Sequence, residues 1–426
     1  MSLKRNLSLI FCFLSFVCNA QSSEVDAYVK QGIEKERPGH FNEALEYFNK
    51  ALALDSNDYN ALANRGATYL NLRNYKACIT DCNKALSIRR SNFPFFTRGM
   101  AEARLQMFDV AIDDLQHVVK PISEISLAGD FLTGQSCLEI GWIKNQMQCY
   151  EEAIESFDYA VHASGRNFAI FAYRANAKLE LKRYDDAIKD YDIAIRLKPL
   201  DGELYRARGW AKFKMKNFDD AIRDFSEAID ISANDSIAYN LRGWAKIGVN
   251  DSVSAFTDLD KAIELAPHYH LAYINRAKAC NVFGHYLQAV KEYSELINAD
   301  SSSADVYNGR GWALGHIKKY SEAMEDLNRA ISMNPYFASA YDSRGWVECE
   351  LGKFKEAITD LDKALQIDST MSVAYNKRGY AYFKLGDNQN AVLNYDAALA
   401  NGKKDFKASY EYREEAIANL KKSNNR

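Results

Sequence analysis

A small residue returns every 34 positions along most of this chain. With Gly66 of Ala-Asn-Arg-Gly as the anchor, counterparts stand at Gly32, Gly99, Gly141, Ala175, Gly209, Gly243, Ala277, Gly311, Gly345 and Gly379, and from 141 to 379 every step is 34 residues. Twelve residues after each anchor comes a second small residue, at Ala44, Cys78, Ala111, Ala153, Ala187, Ala221, Ala255, Ala289, Ala323, Ala357 and Ala391. Seven further on comes a third position, alanine in every unit except Val118 and Leu296. A period of this length marks supersecondary units that cannot bury an apolar face alone and must stack. Two antiparallel helices approach closely only where the side chains between them are small. The first helix of each unit therefore supplies one small residue at the crossing and the second supplies two. Tyr205, Tyr239, Tyr273, Tyr307, Tyr341 and Tyr375 recur one helical turn before the anchor, and Pro199, Pro267 and Pro335 stand just past the second helix, where proline stops it. The pattern predicts an all-α array of eleven helix-turn-helix units over residues 25–405.

A chain of 426 residues exceeds what one compact core usually holds, which agrees with a repeat architecture. With 47% hydrophobic and 26% charged residues it is neither disordered nor membrane-embedded. Its net charge of −3 has no block of like charge, so nothing points to nucleic acid. The N-terminus reads as a secretory signal: Lys4 and Arg5, then a short apolar run from Leu7 to Val17, then Cys18-Asn19-Ala20. Cleavage after Ala20 is expected, with lipidation at Cys18 as the alternative. The mature chain is then extracytoplasmic, periplasmic or secreted, with no later membrane span. Six cysteines remain, none in CxxC spacing, and Cys78 and Cys82 read as buried thiols on one helix face.

The period breaks once. The step from Gly66 to Gly99 is 33, and from Gly99 to Gly141 it is 42. The expected organisation is a signal peptide (1–20), repeats one to three (25–125), an irregular insert (126–133), repeats four to eleven (134–405), and a capping helix with a tail (406–426). A solenoid needs such a cap to cover its last apolar face.

The aromatic-x3-Gly/Ala of each first helix, the aromatic-x2-Ala-x3-aromatic/Leu-x2-Ala of each second helix and the closing proline resemble the tetratricopeptide repeat family. The resemblance implies a right-handed superhelix of helix pairs with a concave inner groove, and a non-catalytic scaffold that holds a protein or peptide segment there. Likeness to the chaperone-tail-binding members is partial. Their clamp groups basic and asparagine residues; Asn176 and Arg206 match its start, and Trp210 stands where the next asparagine would be.

Arginine precedes the anchor in nine repeats, at 65, 98, 174, 208, 242, 276, 310, 344 and 378. Sixteen residues later stands Asp81, Asp114, Asp190, Asp224, Asp258, Glu292, Asp326 or Asp360, and in the ninth case Asn394. The two repeats without arginine carry Tyr47 and Ser156 at the matching place. An Arg–carboxylate pair joining the two helices of each unit is predicted; the alternative joins each acid to the next repeat's arginine.

All five tryptophans, Trp142, Trp210, Trp244, Trp312 and Trp346, stand one residue after the anchor, and Tyr380 takes that place in repeat eleven. In the resembling family this position lines the groove. Within a turn, Phe213, Asn240, Asn308, Asp342 and Asn376 join it, so the ligand-groove candidates are these residues with Asn176 and Arg206. Tryptophan beside arginine and asparagine is typical anchor chemistry. The bland alternative is that neighbouring tryptophans pack on one another along the wall. A row of tryptophans would also suit the sugars of a polysaccharide, the runner-up ligand. His268 and His270 lack a third ligand at a sensible spacing, no nucleophile–base signature or phosphate-cradling loop appears, and neither metal nor cofactor is expected.

Overall fold

The computed structural model describes residues 24–37, 39–119, 130–165, 167–299, 303–401 and 407–424. The predicted signal peptide lies outside them. The described residues form twenty-three α-helices and no strand. In chain order the helices are α1 (Glu24–Glu36), α2 (Phe41–Leu54), α3 (Tyr59–Asn71), α4 (Tyr75–Ile88), α5 (Asn92–Arg104), α6 (Phe108–Gln116), α7 (Phe131–Gln146), α8 (Tyr150–Ser164), α9 (Phe168–Glu180), α10 (Tyr184–Leu197), α11 (Gly202–Lys214), α12 (Phe218–Ile231), α13 (Ser236–Gly248), α14 (Ser252–Leu265), α15 (His270–Val282), α16 (Tyr286–Asn298), α17 (Ala304–His316), α18 (Tyr320–Met333), α19 (Ala338–Glu350), α20 (Phe354–Ile367), α21 (Ser372–Lys384), α22 (Asn388–Asn401) and α23 (Lys407–Asn424). None is long and apolar enough to cross a membrane.

The chain forms two compact units, Met1–Asn217 and Phe218–Arg426. The first stacks five helix pairs, α1/α2 to α9/α10, followed by α11. The second begins with α12, stacks five pairs from α13/α14 to α21/α22, and ends on α23.

The helix crossings obey the small-residue rule. Every second-position small residue from Ala44 to Ala391 is fully buried. The anchor meets the side chain sixteen residues later. A β-carbon built on Gly311 would lie 2.8 Å from Leu327 Cγ, and one built on Gly141 would lie 2.5 Å from the Phe157 ring. Those opposing side chains are the core, with Phe48, Phe157, Tyr191, Tyr293 and Tyr395 among the largest wholly buried. Truncating one, such as Leu327→Ala, should cost about 2–5 kcal/mol.

The turn between the two helices is equally regular. The residue seven after the anchor has a left-handed backbone in all eleven repeats: Gly39, Gly284, Gly352 and Gly386, but also Arg73, Gln106, Gln148, Lys182, Lys216, Asn250 and Lys318 at φ near 60°. Each reverses the chain at the end of the first helix, a position that favours glycine. Several first helices open on a carboxylate cap, as where Asp58 accepts from the Ala61 amide at 2.6 Å.

Of the predicted insert, Phe131, Leu132 and Thr133 form the first turn of α7, capped by Asp130, and 126–129 lie outside the described residues. The last helix packs on the eleventh repeat through Ala416, which is fully buried, and through Tyr412, whose ring meets Tyr380, Phe383 and Tyr395.

Candidate functional site

The conspicuous carboxylates are structural. In the seven repeats whose arginine and acid fall within one unit, the pair is made inside the repeat. Arg310 is representative: Nε donates to Asp326 Oδ2 at 2.7 Å and Nη2 to Oδ1 at 2.8 Å, a two-pronged grip. The remaining nitrogen, Nη1, reaches back to Ser294 of the preceding repeat at 3.1 Å. The same third contact runs from Arg65 to Asn49, Arg98 to Asn83, Arg174 to Asp158, Arg208 to Asp192, Arg242 to Ser226, Arg276 to Asp260, Arg344 to Asn328 and Arg378 to Asp362. Apart from Arg208, each of these arginines thus ties three helices. The next repeat's arginine does come close, but it takes the residue two places beyond the acid. Glu292, one methylene longer than aspartate, loses the double grip: one oxygen takes Arg276 at 3.2 Å and the other takes Gln288 at 2.9 Å.

Two repeats add a second acid to this joint. Glu102 lies beside Asp114 and Glu348 beside Asp360, and burial first, then the neighbouring aspartate, pushes both glutamates up to about 7. Glu36, 3% exposed, is pushed up to about 8 by burial against the pull of a hydrogen bond from Thr68.

The five tryptophans and Tyr380 are half-buried, each on a first helix. In the first unit, Trp142 meets Phe108 edge-on at 6.5 Å, and the Arg104 guanidinium, itself paired with Glu139, stands 5.0 Å over its ring. Trp210 stacks on Phe213 at 5.3 Å with Lys214 4.3 Å above it, all on α11. Asn176 is exposed on α9 and accepts from the Tyr191 hydroxyl at 2.5 Å, while Arg206 on α11 is half-buried and 3.8 Å from Glu203. These candidates stand on α7, α9 and α11.

The second unit brings candidates together. Trp312 on α17 and Trp346 on α19 lie 4.6 Å apart, and His316 packs against both, 4.7 Å from Trp312 and 4.4 Å from Trp346. Tyr286 of α16 stacks flat on the other side of His316 at 4.1 Å. Gly315 makes the approach possible, since a β-carbon there would lie 2.6 Å from the Trp346 ring. One turn before each indole stands a polar side chain. Asn308 precedes Trp312; Asp342, 8% exposed, precedes Trp346 and holds Lys377 of α21 at 2.8 Å. That ammonium also stands 4.9 Å over the Trp312 ring. Asn308 Oδ1, Asp342 Oδ1 and His316 Nε2 are buried atoms without a hydrogen-bond partner among the described residues. Burial, then the nearby Lys377, holds the His316 imidazole below its ordinary value.

Asn240 and Tyr380 are held in contacts of their own. Asn240 is fully buried, accepting from Asn275 at 2.9 Å and donating to the Tyr269 hydroxyl at 3.3 Å, so it ties repeats seven and eight. Tyr380 meets Phe354 and Tyr412 edge-on, with Lys384 5.2 Å over it, in the knot that seats the last helix. Trp244 and Asn376 are half-buried on α13 and α21. Trp312 and Trp346 do pack on one another, and both keep exposed surface. Gly315 and Lys377 complete the cluster without any sequence signal of their own, and Tyr286 enters it from the recurring aromatic position three residues before Ala289.

Tetratricopeptide repeat models match residues 25–58, 59–92, 146–202, 174–236, 304–337 and 372–401, and a TPR repeat model matches 345–386, together more than half of the chain. The chain belongs to the tetratricopeptide repeat family. Its relatives include an Hsp70-Hsp90 organizing protein of Triticum aestivum, 28% identical over 165 residues, 32% of this chain and 28% of that one. An Hsp70/Hsp90 co-chaperone of Saccharomyces cerevisiae is 39% identical over 75 residues, 17% of this chain and 20% of that one. This tetratricopeptide repeat chain therefore spans less than a third of the length of either relative. Among solved structures, a tetratricopeptide repeat protein from Parabacteroides merdae superposes with a TM-score of 0.53 at 18% identity, over 58% of this chain and 98% of that one. The APC/C Cut9–Hcn1 hetero-tetramer gives a TM-score of 0.50 at 13% identity, over 94% of this chain and 91% of that one. At these identities the likeness shows the all-α repeat fold alone.

Proposed function

We propose that this tetratricopeptide repeat protein is a non-catalytic scaffold that holds a segment of a protein partner on the inner faces of its first helices, with Trp312 and Trp346 as the principal anchors. The observation that carries this reading is the cluster of half-buried indoles with buried, unpartnered polar atoms beside them. Half-exposed aromatic surface next to unused hydrogen-bonding capacity is the composition of a binding hot spot. The rigid helices that position it keep the ordering cost of binding low. The names of the plant and yeast relatives tie those proteins to Hsp70 and Hsp90, which supports protein partnership as the general mode.

We further propose that the chain acts outside the cytoplasm. The support is the basic start at Lys4 and Arg5, the short apolar run and the small residue at Ala20. Mass measurement of the chain recovered from its native compartment tests this; a chain beginning at Gln21 is expected, and an intact Met1 in the cytosol contradicts it. The polysaccharide alternative rests on the same indoles. Tryptophan fluorescence titrated separately with envelope glycans and with envelope protein fractions separates the two. A response to protein fractions is expected, and a response to glycans alone overturns the peptide reading.

A further inference from the structure

The cluster in the second unit offers one kind of unused chemistry. Asn308 Oδ1 and Asp342 Oδ1 are both acceptors, both buried, and neither has a hydrogen-bond partner among the described residues. They stand one turn before Trp312 and Trp346, on adjacent first helices that pack together. Glu350, exposed one turn after Trp346, adds a negative charge. The protein already places one cation of its own here. Lys377 Nζ takes Asp342 Oδ2 at 2.8 Å and covers the Trp312 ring at 4.9 Å. Among the described residues no cation lies over Trp346, although Trp142, Trp210 and Trp312 each carry one. A carboxylate oxygen, an amide oxygen and a half-buried indole that carries no cation thus stand on two adjacent first helices, and Lys377 shows that the carboxylate accepts positive charge.

Resting on the groove reading above, we propose that repeats nine to eleven form a subsite for an arginine side chain of the partner. The guanidinium stacks on Trp346 and gives its N–H groups to Asp342 Oδ1 and Asn308 Oδ1. Arginine fits better than lysine because its planar fork can stack on an indole and reach two acceptors at once. A carboxylate or phosphate brings more acceptors to two acceptors that are already unmatched, and meets the negative charge of Asp342. A sugar hydroxyl donates once and leaves its own lone pairs unmatched. Lys377 is then a competitor: it holds one Asp342 oxygen and one indole face that the ligand could share.

The test uses the full chain and saturation-transfer NMR with N-acetyl-arginine amide, its uncharged citrulline analogue and N-acetyl-glutamate amide. Transfer to the arginine side chain is expected, at least fivefold weaker for citrulline and absent for glutamate. Asp342→Asn and Trp346→Ala should each reduce it at least fivefold. Lys377→Met should raise the apparent affinity threefold or more, a gain that a merely structural lysine would not produce. Circular dichroism verifies each fold, and Asn308→Leu, at a half-buried position, supplies a variant that removes one acceptor without touching a charge; a two- to threefold loss is expected. Equal transfer to arginine and citrulline, an unchanged signal in Asp342→Asn and Trp346→Ala, or weaker binding in Lys377→Met overturns the subsite. Failure of the arginine response while partner capture still depends on Trp312 and Trp346 sinks the subsite and leaves the groove reading standing. An intact arginine response with capture independent of both indoles sinks the groove reading instead.

Discussion

The Trp346 indole lies against the backbone of Gly315, one repeat earlier, so closely that a β-carbon at 315 would stand 2.6 Å from the ring. The glycine is therefore what allows Trp346 to reach Trp312 and His316. Gly315→Ala should push the indole outward, shift its fluorescence and weaken partner binding. The overpacking should cost about 1–3 kcal/mol, offset in part by alanine's better helix propensity. An unchanged emission spectrum and unchanged binding would show that the contact does not shape the site.

The joint between Arg310, Asp326 and Ser294 predicts strong coupling. Asp326→Ala leaves a guanidinium with one neutral partner, and Arg310→Ala leaves a buried carboxylate, so each should cost about 2–3 kcal/mol. The double variant should cost at least about 1 kcal/mol less than the sum, read from denaturant unfolding. Strictly additive losses would contradict the pairing.

Glu36, Glu102 and Glu348 make stability depend on pH in an unusual direction. Their folded values, about 8, 7 and 7, lie above the ordinary 4.5. Between those values the folded state holds more protons than the unfolded one, so stability falls as pH rises from about 4.5 towards 8. The chain should melt at a higher temperature at pH 5.5 than at pH 8.5. Glu36→Gln should narrow that gap, adding about 1–3 kcal/mol at pH 8.5 and little at pH 5. A melting temperature that rises steadily to pH 8.5 would contradict this account.

The left-handed turn residue predicts a stabilising substitution. A side chain there costs about 1–2 kcal/mol, and glycine's extra freedom in the unfolded chain returns about 0.5–1. Lys318→Gly, at φ 63°, should therefore stabilise the chain by up to about 1 kcal/mol, and Gly352→Ala, at φ 72°, should destabilise it. Equal melting temperatures for both variants would show that the turn is not strained.

The repeat was legible because close helix packing tolerates only small residues at fixed places, and one chain displays that demand eleven times. The Arg310–Asp326 type of joint was legible for the same reason: arginine and acid vary together along the chain. The left-handed turns had a signal that the anchor pattern overshadowed, since Gly39, Gly284, Gly352 and Gly386 all stand seven residues after an anchor. The tryptophan position was legible too, but the cluster was not. His316 follows Trp312 by one turn, whereas Tyr286, Gly315 and Lys377 come from three repeats at three different repeat positions. No internal comparison aligns them. The burial of Asn240 was not legible, because it depends on the particular pairing with Asn275 and Tyr269, which no repeat signature announces. Tyr380 sits where the pattern predicts, and the last helix then packs Tyr412 on it.

The central claim is that Trp312 and Trp346 anchor a partner. Its most direct measurement is comparative capture, in which the chain and its Trp312→Ala/Trp346→Ala variant are immobilised, verified as folded, and exposed to the same native extract. The account predicts that proteins retained by the unaltered chain are lost from the variant and are retained by a control variant, Tyr336→Ala, at an exposed position outside the first helices. Recovery of the same partners at the same yield by the double variant would contradict it.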